Sequence, residues 1–227
     1  MITAAPDPHA GHSGHDPHAR HDADVRTALS RAADAADASG HPEAYDRLRS
    51  RLADRAERAG ILDVAYRTVD TPVGTLLVAA TEQGLVRVAY PIEGHEKVLD
   101  VLAGQVSPRV LRAPGRLDPV ARQLDEYFAG RRRVFDVPLD MRLARGFRRL
   151  VLDHLREIDY GTTASYGTVA AAAGSPAAVR AVGTACARNP LPVVVPCHRV
   201  VLADGSIGRY VGGVTAKKAL LDLEAAA

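Results

Sequence analysis

The chain has 227 residues, 47% of them apolar, enough for one large or two small domains with a hydrophobic core. No apolar run reaches the roughly 20 residues of a membrane span, the start carries no apolar signal stretch, and two cysteines cannot build a disulfide framework or a cysteine-rich zinc site, so a cytoplasmic protein with free thiols is expected. The net charge of +2 hides a split, because residues 141–227 carry 11 Arg or Lys against 6 Asp or Glu while residues 1–140 carry 18 against 21, and a basic C-terminal part suits an anionic partner such as DNA.

Residues 1–24 are poor in apolar side chains and repeat His9, His12, His15, His18 and His21. Gly and Pro between the imidazoles leave no fixed ligand geometry, so the segment reads as a disordered polar tail rather than a metal site. Residues 25–62 read as a helical extension, with Tyr45, Leu48, Leu52 and Ala56 on one stripe and a break at Gly40-His41-Pro42.

The period then changes. Val64–Val69, Thr75–Ala80 and Leu85–Tyr90 alternate as short strands, separated by turns at Pro72-Val73-Gly74 and Glu82-Gln83-Gly84, and predict an antiparallel meander. Helices are expected near 95–104 and 118–129, the second with Asp118 as N-cap and Pro119 at its first position. Residues 63–140 form a small α/β scaffold domain with no evident catalytic constellation.

From 141 the pattern is helical. Phe147, Val151, Leu155 and Ile158 mark one helix, ended by Tyr160-Gly161. Ser165 caps a second helix that closes at Gly174, and Ser175-Pro176 opens a third that runs to about Ala187. The pair around Gly174-Ser175-Pro176 has helix-turn-helix dimensions. The fold class is therefore α+β: a small α/β domain with antiparallel strands, then a mostly helical domain over 141–227, behind a helical extension.

The chemistry concentrates in Asn189-Pro190-Leu191-Pro192-Val193-Val194-Val195-Pro196-Cys197-His198-Arg199-Val200. Prolines and β-branched residues do not continue a helix, so a buried, extended lead-in is expected to deliver Cys197 beside His198 on a tight turn. A thiol is a weak nucleophile until deprotonated, an adjacent His can take its proton, and that base needs a third group to orient it.

On these residues the chain resembles the O6-alkylguanine-DNA alkyltransferase family. Pro196-Cys197-His198-Arg199-Val200 matches its signature, and Ser165-Tyr166-Gly167, Arg180-Ala181-Val182-Gly183, Asn189-Pro190, Gly208-Arg209-Tyr210-Val211-Gly212-Gly213 and Leu220-Leu221-Asp222-Leu223-Glu224 follow at family spacing. The resemblance spans about residues 63–227. It implies stoichiometric, irreversible transfer of an alkyl group from O6 of guanine in DNA to Cys197, with O4 of thymine a further possible source. It makes His198 the base, acting through a water, and Glu224 the carboxylate that orients it. Asn189 braces the turn, and Tyr166 gives a proton to the departing guanine. Arg180 fills the gap left by the flipped base, consistent with its long, planar, cationic side chain. Ala177, Ala178, Ala181, Gly183 and Arg188 join it on the DNA face, the small ones allowing close approach to a minor groove. Pro196, Val200, Tyr210 and Val211 line the pocket for base and alkyl group. The implied partner is double-stranded DNA, bound by a monomer, with no membrane, no metal and no cofactor.

Departures are local. The family's Thr-Pro-Phe-Gln stretch reads Ala144-Arg145-Gly146-Phe147-Arg148, and Val211 stands where relatives often carry Ser, Ala or Gly. A non-catalytic sensor of alkylguanine would lack the acceptor thiol. A cysteine hydrolase or redox protein using Cys197 and His198 would need an oxyanion hole or a second thiol at short spacing, and Cys186 is 11 residues away with helix and prolines between.

Overall fold

The structure, a computed structural model, describes residues 42–226, with side-chain burial from residue 47. From Ser50 on, the chain forms one compact unit. The His series, the helix expected over 25–41 and the break at Gly40-His41 lie outside the described residues. Helix α1 runs Pro42–Arg58. Within it Ala53 and Ala56 are buried, whereas Leu48 and Leu52 are 64% and 47% exposed. Of the predicted stripe, Ala56 is buried as expected, but Leu48 and Leu52 face outwards and Ala53 takes the second buried place. Two alanines three apart let this end of the helix lie close to the core, where larger side chains would hold it off.

Four strands build one sheet in the order β3-β2-β1-β4: β1 Val64–Val69, β2 Leu76–Thr81, β3 Gly84–Ala89 and β4 Val110–Arg112. The first three form the expected antiparallel meander. Strand β4, which no sequence pattern marks, pairs parallel to β1 and makes the sheet mixed. Central β2 is buried throughout. Leu76, Val78 and Ala80 face the main core, while Leu77 and Ala79 face helix α2 (His95–Gln105) through Val98 and Leu102. Period-two alternation thus serves two apolar layers.

The outer edge of β3 matters for the site. The chain returning at 138–140 lies along its start, with Leu85 N donating to Pro138 O at 2.8 Å. Gly84, at φ +137°, is required there, since a Cβ would lie 2.2 Å from Pro138 O. Further along, Val88 N donates to Pro190 O at 2.8 Å. The far end of the sheet edge is thus covered by the segment that leads into Cys197, which also takes the Val88 backbone donor.

Helix α3 spans Asp118–Phe128. Its N-cap is Leu117 with no side-chain cap, so Asp118 is the first helical residue and not the cap. The 3₁₀ turn Pro114–Leu117 feeds straight into the helix and shifts the boundary. Helices α4 Phe147–Leu155, α5 Tyr166–Ala172 and α6 Val179–Ala187 pack on one another. Ser165 caps α5 as expected, its Oγ accepting from Thr168 N at 3.0 Å. Gly174, at φ +73°, turns the chain towards α6. That helix starts at Val179, later than expected, because Ser175–Ala178 close a turn through Ala178 N to Ser175 O at 2.8 Å. Ala177 and Ala178 therefore sit in the turn and not on the helix. Short strands β5 (Ala164–Ser165) and β6 (Val200–Val201) pair in parallel and fasten the start of α5 to the end of the Cys197 turn. Helix α7, Gly213–Ala225, closes the fold. No helix among the described residues is long and apolar enough to cross a membrane.

Candidate active site

Residues 189–200 are buried throughout, as expected, but they are not extended. Val195 N donates to Leu191 O at 2.8 Å, and Val193 adopts φ +73°. Prolines remove the donors a strand ladder needs, so local hydrogen bonds shape the segment instead. Asn189 is their hub. Its Oδ1 accepts from Leu191 N at 3.0 Å, and its Nδ2 donates to Val195 O at 2.8 Å and to Cys197 Sγ at 3.1 Å. Cys197 then opens a 3₁₀ turn, Cys197–Arg199, and is 2% exposed.

Burial pushes the Cys197 thiol up to about 11, against the opposing pull of Asn189 and Lys217. Burial also depresses the His198 imidazole, although its bond to Glu224 acts the other way. Burial thus favours the neutral thiol and the neutral imidazole.

His198 Nε2 lies 2.9 Å from Glu224 Oε1, and both side chains are buried. Burial alone would raise the Glu224 carboxyl, but hydrogen bonds from His198 and Arg199 bring it down to about 2. An ionised carboxylate only accepts, so Nε2 carries the proton. The lone pair of neutral His198 then sits on Nδ1, which is buried without a hydrogen-bond partner among the protein groups. This nitrogen is free to take a proton.

Glu224 gathers further donors: Tyr127 Oη at 2.7 Å, Arg199 Nη2 and Nε each at 2.9 Å, and Gly161 N at 3.2 Å. Burial, then the nearby carboxylate, hold the Tyr127 phenol protonated. The Arg199 guanidinium also lies 5.7 Å from the ring centroid of Tyr160, a cation–π arrangement. The carboxylate is thus fixed from helix α3, the turn at 161 and the Cys197 turn together.

Tyr166, at the start of α5, is half-buried between α6 and the 208–213 loop. A Cβ on Gly183 would lie 4.0 Å from its ring, and one on Gly208 would lie 3.6 Å from its hydroxyl. Gly183 therefore faces Tyr166 rather than the outside. Burial, then the thiols of Cys186 and Cys197, raise the Tyr166 phenol, so it remains a proton donor. Pro196 and Val200 are buried beside Cys197, and Tyr210 and Val211 are half-buried on the loop. Arg180 and Ala181 are exposed on α6 together with Thr184 and Ala187, the exposed Arg188 follows at its C-terminal end, and Val182, Ala185 and Cys186 face the core. The outer face of α6 is thus small side chains bracketed by two arginines. The exposed Ala177 precedes it in the turn, with Ala178 half-buried.

Sequence reasoning missed three groups. Arg199 stood inside the quoted motif without a role. Tyr127 lies 97 residues from Glu224, and only its place on the buried stripe of α3 marked it. Lys217 is completely buried, and its Nζ donates to Val200 O. A lysine between Ala216 and Leu220, where α7 turns inward, is a signal that could have been read, since lysines are almost never fully buried.

The fold and site define a helix-turn-helix protein with a buried cysteine, histidine and glutamate behind its second helix. Family models of 6-O-methylguanine DNA methyltransferase match twice, the ribonuclease-like domain over residues 64–141 and the DNA-binding domain over 146–226. The methylated-DNA–protein-cysteine methyltransferase of Mycobacterium tuberculosis is 40% identical over 161 residues, covering 71% of this chain and 92% of that protein. The constitutive one of Bacillus subtilis is 38% identical over 159 residues, covering 69% and 92%. The crystal structure of Mycobacterium tuberculosis OGT in complex with DNA matches with TM-score 0.60 at 39% identity, covering 71% of this chain and 93% of that one. The chain belongs to the methylated-DNA–protein-cysteine methyltransferase family.

Proposed function

We propose that this protein repairs DNA by direct reversal, moving an alkyl group from O6 of guanine onto Cys197 once per chain. The observation that carries the reading is the buried His198–Glu224 pair beside a thiol that Asn189 holds in place. His198 Nδ1 takes the Cys197 proton, directly or through one water, and Glu224 steadies the cation that forms. The thiolate attacks the alkyl carbon, a C–S bond forms, and the C–O6 bond breaks with its electron pair going to guanine. Tyr166 gives the departing base a proton, and its own proton is restored from the imidazolium. The products are neutral guanine and an S-alkyl cysteine.

A target atom inside a stacked duplex must be turned out to reach a thiol only 2% exposed. Arg180 fills the gap, a role that its exposed, long, cationic side chain supports, and the small face of α6 suits a minor groove. Pro196, Val200, Tyr210 and Val211 form the receiving pocket. Residues 63–140 act as scaffold and 141–227 carry DNA binding and chemistry, in a cytoplasmic monomer.

The test is a dose titration with an O6-methylguanine oligonucleotide followed by peptide mass spectrometry. One methyl per chain on the Cys197 peptide is expected. Sustained turnover with substrate in excess, or methyl on another residue, refutes the reading.

A further inference from the structure

The α/β half reaches the site through Tyr90, which follows β3 and is 1% exposed. Its hydroxyl lies 3.1 Å from Tyr210 Oη, and the two rings meet edge to face with centroids 5.7 Å apart. Tyr210 in turn meets the His198 imidazole edge-on, at 6.3 Å. Gly212 makes this approach possible, because a Cβ there would lie 2.6 Å from Tyr90 Cε1 and Cζ. The loop carrying Tyr210 thus leaves a glycine-sized slot that the Tyr90 ring fills.

Tyr90 is itself held firmly. Its backbone N–H donates to Glu93 Oε1 at 2.9 Å, and Glu93 Oε2 pairs with Arg87. Arg87 also reaches the carbonyls of Asn189 and Pro190, at 3.4 and 3.3 Å. One ion pair therefore ties Tyr90 to the segment that leads into Cys197, while its ring and hydroxyl hold the opposite loop. Burial keeps both phenols protonated, and the nearby Cys197 adds to the effect, so this link does not titrate near neutral pH.

We propose that Tyr90 is a positioning and specificity-determining residue for alkyl transfer, fixing Tyr210 against His198 and so setting the width of the pocket that receives the alkyl group. The proposal rests on Cys197 as acceptor. A methyl group needs little room, but a benzyl group must lie flat against the pocket wall. Tyr90→Ala leaves a ring-sized space behind Tyr210, so Tyr210 can fall back. The looser wall orients small groups less well and admits large ones more easily. Tyr90→Phe keeps the packing and removes only the hydroxyl link.

The experiment measures single-turnover transfer at saturating duplex DNA, with O6-methylguanine and O6-benzylguanine as probes. Tyr90→Ala should slow methyl transfer on the order of tenfold and raise the benzyl-to-methyl rate ratio by roughly the same factor. Tyr90→Phe should move the ratio the same way by about 2- to 3-fold, a small share of the range pocket contacts span. DNA affinity should stay constant, because Tyr90 is only 1% exposed. An unchanged ratio in Tyr90→Phe, or two rates falling together in step with the unfolded fraction, overturns the proposal. Mass spectra of the reacted wild type locate the alkyl group, so a wrong acceptor is detected separately.

Discussion

Oε1 of Glu224 accepts from His198 Nε2 at 2.9 Å and leaves Nδ1, buried without a protein partner, as the basic nitrogen. Glu224→Gln keeps a hydrogen-bonding group but removes the charge that stabilises imidazolium. Single-turnover transfer at saturating DNA should fall on the order of 10- to 1000-fold. The buried Arg199 loses its counter-charge in the same variant, so thermal stability should also fall, by about 3–5 kcal/mol. Comparison of rates for the folded fraction separates the two effects. Coincident pH–rate profiles for wild type and variant would rule out the relay.

The acid and alkaline limits follow from Cys197 and His198. Folding favours the neutral imidazole, so that contribution is present above about 6.5 and is lost as pH falls through the depressed folded value. It also favours the neutral thiol, whose contribution is present below its ordinary value of 9.0 and is lost as pH rises through about 11. If His198 takes the proton, transfer should be flat from pH 7 to 9 and decline only in acid. Direct ionisation of the thiol predicts a tenfold rise per pH unit instead, and a stopped-flow profile distinguishes them.

Asn189 makes three buried hydrogen bonds, to Leu191 N, Val195 O and Cys197 Sγ. Asn189→Ala leaves an amide and a carbonyl without partners, at roughly 1–3 kcal/mol for each unsatisfied group. Urea denaturation should show that loss. Transfer should slow even in fully folded protein, because the turn no longer holds the thiol. A variant with wild-type stability and rate would show that the Pro-rich backbone holds the turn alone.

Arg180 is exposed at the start of α6 and has no hydrogen bond or ion pair through its side chain among the described residues. Arg180→Ala should leave stability within about 0.5 kcal/mol of wild type, as for ordinary surface sites. Repair of duplex O6-methylguanine should slow far more than reaction with free O6-benzylguanine, since only the duplex has to be opened. Equal losses on both substrates would remove Arg180 from base flipping.

Much of this protein was readable along the chain. Strands β1–β3 show period-two alternation, Ser165 and Gly174 punctuate α5, and Pro196-Cys197-His198-Arg199 names the chemistry, because each signal lies within a few residues. The start of α6 and the capping of α3 were misplaced by short 3₁₀ or turn segments that carry no periodicity. The prolines and β-branched residues of the Asn189–Pro196 lead-in predict an extended chain, yet Asn189 folds it into turns through its own side chain. What only the tertiary structure decided is which distant groups meet: Tyr127 with Glu224, Arg87 with Pro190, and Tyr90 with Tyr210, pairs 97, 103 and 120 residues apart. Such contacts arise when two apolar surfaces bury together and the polar atoms carried inside must find partners. A local pattern can announce that a residue is buried, but only the packed fold selects what it bonds to.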